Sequence, residues 1–93
     1  MMHKFLAHRR GDDVGIATSH VGKGEDVVGV FMDDGTTMHV LARHDIPLGH
    51  KIALDAVGQG DDVREYGIRI GVAVDDLEPG DYVHTHNLKS ARW

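Results

Sequence analysis

One spacing recurs four times along this chain: an apolar residue, two residues, a glycine, two residues, an apolar residue. It is present as Val21-Gly24-Val27, Ile46-Gly49-Ile52, Val57-Gly60-Val63 and Leu77-Gly80-Val83. A glycine held between apolar residues reads as a tight turn at positive φ, with its flanks packing the turn onto a core. Glycine at turns is common in any β protein, but four copies with matched apolar flanks form a pattern. A longer self-match places "VGIATSHVGKGEDV" at 14–27 on "IGVAVDDLEPGDYV" at 70–83. The same glycines leave room for few long helices. Each one costs a helix interior roughly 1 kcal/mol, and the longest glycine-free interior stretch, residues 36–48, contains Pro47.

Between the turns the chain reads as short strands. In "TMHVLAR", Met38, Val40 and Ala42 alternate with His39, Leu41 and Arg43, which is the two-residue period of a strand. "VVGVFM" and "TTMHVL" flank "DDG" at 33–35, a strong hairpin signal. The expectation is a mainly β, compact single domain with short bent strands and Gly-rich turns. Ninety-three residues suit one such domain, with a modest core.

Composition narrows the chemistry. The chain has no cysteine, which excludes disulfides, thiolate catalysis and Cys-type zinc sites. A formal charge of −5 argues against a general nucleic-acid binder, which normally carries a basic patch. No apolar run approaches the ~20 residues of a membrane span, and the N-terminus lacks a signal-peptide core. A cytoplasmic location is the default expectation.

The most chemically loaded stretch is "GDYVHTHNLKSARW" at 80–93. His84 and His86 flank Thr85 at the end of an expected strand. Residues two apart on a strand share a face, so both imidazoles could reach one ion. Asn87 offers a donor and an acceptor to a substrate hydroxyl or carboxylate, or serves as an ordinary turn residue. Gly49, His50 and Lys51 follow Pro47 in a turn, where Lys51 supplies a point charge and His50 a movable proton. A solvated lysine is the plainer account of Lys51. Lys89, Arg92 and the lone Trp93 include residue types enriched at interface hot spots.

The segments "FLAHRRGDDVGIAT", "IPLGHKIALDAV", "YGIRIGVAV" and "GDYVHTHNLKSARW" together resemble the SAF domain of the altronate/galactarate dehydratase family, from about Phe5 to Trp93. "PLGHKIAL" and "HTHN" are its most specific pieces. The resemblance implies a β-clip fold over residues 1–86, with 87–93 as a partner-docking tail carrying Lys89, Arg92 and Trp93. Within that family, a short form ending in a basic stretch and Trp resembles the separately encoded small subunits of sulfolactate sulfo-lyases. That likeness implies a subunit of a two-chain, metal-dependent lyase, inactive alone. Such an enzyme removes hydrogen sulfite from (2R)-3-sulfolactate to give pyruvate. The implied metal is divalent, iron by family resemblance, held by His84 and His86. The implied catalytic residues are His50 and Lys51, with Gly49, Asn87 and Tyr66 binding substrate. The implied partner is a large dehydratase-type subunit; self-association of the isolated chain is left open. Two other functions stay open: the small subunit of a sugar-acid hydro-lyase, and a non-catalytic module that binds a sugar acid or another protein.

Overall fold

The computed structural model describes residues 3–90, and every regular element among them is a strand. The strands are β1 (Phe5–Ala7), β2 (Val14–Ala17), β3 (Asp26–Phe31), β4 (Thr37–Leu41), β5 (Lys51–Ala53), β6 (Asp62–Glu65), β7 (Ile68–Ala73), β8 (Tyr82–Val83) and β9 (Leu88–Ser90). Six of them form one sheet in the order β4-β3-β1-β2-β5-β8, and three form a second in the order β6-β7-β9. Among the described residues only β1 and β3 run parallel. The mainly β, SAF-like expectation is met, and the 33–35 hairpin joins β3 to β4 with Gly35 at φ 73°.

The four glycine turns share one geometry. Gly24, Gly49, Gly60 and Gly80 have φ between 83° and 92°. In each turn the N–H after the glycine donates to the carbonyl three residues back, at 3.0 Å. With positive φ at the third position these are type II turns, which is why glycine sits there. The structure adds a partner that the spacing alone did not reveal. Each turn glycine donates its N–H at 2.8 Å to an alanine carbonyl: Gly24 to Ala42, Gly49 to Ala17, Gly60 to Ala73 and Gly80 to Ala53. Each alanine N–H returns a bond to the carbonyl just after that glycine. All four alanines are buried. The repeat is therefore Ala-x3-apolar-x2-Gly-x2-apolar, and its copies clasp each other in pairs, the first with the second and the third with the fourth. Bridges Val21–Ile46 and Val57–Leu77 close the two pairs.

Two apolar clusters result. One gathers Phe5, Val21, Val27, Ile46 and Ile52, and the other Val14, Val57, Val63, Leu77 and Val83. Phe5 lies across β3, and a Cβ at Gly29 would run into its ring, so the glycine makes room for the largest core side chain. The second sheet does not stop at residue 86. Asn87 is buried and Leu88–Ser90 pair with β7, so the boundary expected at 86/87 falls inside the sheet fold. Arg92 and Trp93, the outer part of the expected docking tail, lie outside the described residues.

Candidate functional site

Between β5 and β8 of the large sheet and β6, β7 and β9 of the small one lies an open cleft of about 710 Å³. Gly49, His50, Lys51, His84 and Lys89 all line it, so the structure brings the 49–51 turn and the chain's last strand to one place. The pairing of β5 with β8 does this, setting Lys51 opposite Val83 and Ile52 opposite Tyr82.

His50 occupies the last position of its type II turn. The other three turns carry Glu25, Asp61 and Asp81 there. Glu25 and Asp81 each accept the first N–H of their own turn, from Gly22 and Glu78. The turn of His50 begins with Pro47, which has no N–H to offer. Its imidazole is thus free to turn outward, and Nδ1 meets the Tyr82 hydroxyl at 2.6 Å. The His84 ring stacks on Tyr82 at a centroid separation of 5.6 Å and lies 5.4 Å from His50. Sequence reasoning named His50 and missed Tyr82. Aligning the four turns would have exposed His50 as the odd one out, but no local signal marks Tyr82 as its neighbour.

The premise for a shared face of His84 and His86 does not hold. β8 ends at Val83, and residues 84–87 form a turn, so the strand period no longer applies. The two rings still flank one side chain: His86 is 5.8 Å from Tyr82. Both histidines are exposed. Among the described residues no three His, Asp or Glu side chains converge into a metal cage. Two imidazoles suit iron or zinc in type, but the described residues bring no third such side chain to them.

Asn87 organises the turn instead of facing the cleft. Its Oδ1 accepts the His84 N–H at 2.9 Å and its Nδ2 donates to the Tyr82 carbonyl at 2.8 Å. It fixes the backbone that carries both His84 and Tyr82. Tyr66 does not line the cleft. It is the first residue of the two-residue β6–β7 turn, at φ 59° beside Gly67 at 72°, with its ring against His8 at 4.5 Å. The buried Asp12 carboxylate accepts both turn N–H groups, from Tyr66 and Gly67, at 3.0 Å each. That network holds a strained tyrosine in a structural turn.

One acid enters the cleft that sequence reasoning did not single out. Glu65, at the end of β6, is buried, and its Oε1 lies 3.7 Å from Lys51 Nζ. Burial pushes its carboxyl above the ordinary range, and the Lys51 ammonium pulls the other way.

A cleft of imidazoles, lysines and one buried acid, on paired type II turns, defines a small mainly β module. The chain belongs to the altronate/galactarate dehydratase SAF-domain family, whose model matches residues 3–91. It is 33% identical to the (2R)-sulfolactate sulfo-lyase subunit alpha of Chromohalobacter salexigens over 90 residues, spanning 96% of each chain. The corresponding subunit of Paracoccus pantotrophus is 47% identical over 64 residues, 69% of this chain and 96% of that one. The altronate dehydratase of Bacillus subtilis is 34% identical over 89 residues, but these are 96% of this chain and only 17% of that enzyme.

Proposed function

We propose that this chain is the small subunit of a two-chain lyase acting on a small sulfonated or hydroxylated acid, with (2R)-3-sulfolactate as substrate. The observation that carries this reading is the match to two subunits named alpha, one of them 47% identical, against 34% identity to altronate dehydratase. A subunit alpha implies a second chain, here a large dehydratase-type subunit, and we place the pair in the cytoplasm.

The reaction is a β-elimination. The proton α to the carboxylate is removed, the C–S bond breaks as sulfite leaves with its electron pair, and the resulting enol tautomerises to pyruvate. Lys51 and Lys89 line the cleft where the carboxylate and sulfonate need cations. His50 handles a proton, oriented by the Tyr82 hydroxyl at 2.6 Å. The leaving-group side and the remaining proton transfer belong to the large subunit. A divalent metal, iron in this reading, would supply Lewis acidity when bound, with His84 and His86 as the donors this chain contributes.

The test is reconstitution: this chain mixed with its large subunit, with pyruvate and sulfite release from sulfolactate as the readout. Activity is expected only with both chains present. Full activity from the large chain alone would end the proposal. The likeness to altronate dehydratase supports a second reading, the same role in a sugar-acid hydro-lyase, for which altronate would be dehydrated in place of sulfolactate.

A further inference from the structure

The elimination scheme leaves Glu65 unused, although it sits in the same cleft as Lys51. Only 10% of its side chain is exposed, and the ammonium of Lys51, the first residue of β5, lies 3.7 Å from its Oε1. The other charged group acting on it is Asp12, on the loop between β1 and β2, whose like charge disfavours ionisation. The cleft wall adds Lys89 from β9 and the imidazoles of His50 and His84. Burial and Asp12 both favour a protonated Glu65, and the Lys51 ammonium opposes them.

We propose that Glu65 couples anion binding in this cleft to proton uptake: a carboxylate or sulfonate that docks on Lys51 claims its charge, and Glu65 takes a proton from solvent. The inference rests on reading the cleft as a site for acidic substrates. The charge count explains why the proton moves. With no ligand, the Lys51 ammonium faces the Glu65 carboxylate and Lys89 offsets Asp12, so the four charges sum to zero. A docked anionic group would leave the half-buried cluster with an excess negative charge, which is costly away from water. Protonating Glu65 restores neutrality. Only an O–H bond forms, the ligand stays anionic, and the neutral carboxyl gains a hydroxyl donor that can point at the bound oxygen.

The experiment is a pH titration of the Glu65 carboxyl carbon by ¹³C NMR on the full chain, alone and with saturating sodium sulfolactate. Sulfolactate should raise the proton affinity of Glu65 about tenfold or more, as expected when one adjacent countercharge is claimed. Lys51→Met should raise it without ligand, and sulfolactate should then leave it unmoved. Glu65→Gln should bind sulfolactate with an affinity that no longer strengthens toward acid. A Glu65 titration unchanged by saturating sulfolactate overturns the coupling, as does sulfolactate that shifts no amide around Lys51. Sulfite release by the two-chain enzyme with an unmoved Glu65 would sink the coupling alone. A moved Glu65 without sulfite release would sink the lyase reading alone.

Discussion

Pro47 sets the second turn apart from the other three. By removing the N–H that a carboxylate would cap, it makes an acid at position 50 pointless there and leaves a histidine facing Tyr82. If that pair moves the proton, His50→Ala should lower kcat of the proposed two-chain enzyme about a hundredfold or more. Tyr82→Phe should cost less, about fivefold, since it deletes one orienting hydrogen bond worth ~1 kcal/mol. Steady-state kinetics on the reconstituted pair check both, and equal rates for wild type and Tyr82→Phe would remove the tyrosine from the scheme. Glu65 gives a second residue-scale expectation, in stability. Its native carboxyl holds a proton more tightly than in the unfolded chain, so its contribution is largest below the ordinary glutamate range. It is lost as pH rises from that range through the raised native value. Glu65→Gln should therefore flatten this part of the melting-temperature profile; an unaltered decline would assign it to other groups, such as Asp13, whose carboxyl is also raised by burial. His50 and Lys51 were legible from their motif. Tyr82 and Glu65 were not, because Tyr82 meets His50 and Glu65 enters the cleft through strand pairings whose register no local pattern specifies.

At the scale of elements, the turns were the most legible part of the molecule. A required positive φ leaves glycine in the sequence, and apolar flanks mark what the turn packs on. The alanine clasp was written there too, but alanine is too common to stand out until its carbonyl is seen accepting the turn N–H. The short strand β8 misled the reading of His84 and His86: two residues are enough for a ladder, and Asn87 bends the chain directly afterward. Asn87→Ala should therefore cost about 1–3 kcal/mol, by leaving the His84 N–H and the Tyr82 carbonyl without their partner. The four turns also make an internal comparison. A Cβ at Gly24, Gly49 or Gly60 meets open space, so alanine there costs only the left-handed backbone, about 1–2 kcal/mol. At Gly80 the same Cβ would strike the Leu41 carbonyl, adding overpacking of about 1–3 kcal/mol. Urea denaturation should rank Gly80→Ala clearly below the other three. Equal losses would show that the end of β4 at Leu41 yields.

For the whole molecule, the question is whether two paired repeats make one cooperative unit or two. The answer lies in β5 and β8, whose neighbouring residues point to different cores. Ile52 belongs to the first cluster and Ala53 to the second, while Tyr82 packs on the first and Val83 lies in the second. Neither cluster can lose its wall without exposing the other. Asp13 adds a second tie. Its N–H donates to the Arg64 carbonyl at 2.9 Å, and its carboxylate accepts the Arg64 N–H at 2.8 Å, joining the approach to β2 to β6. A chain of this length is stable by only ~5–14 kcal/mol. Ile52→Ala, which empties a fully buried site, should remove about 2–5 kcal/mol of it. The loss should appear as one transition, with probes in both clusters melting together. Two separated transitions in the variant would mean that the repeats fold independently. The cleft would then belong to the second repeat pair, with His50 and Lys51 merely docked against it. A single transition makes the cleft a property of the junction, since the strands that divide the cores also carry His50, Lys51, Tyr82 and His84 to its edge.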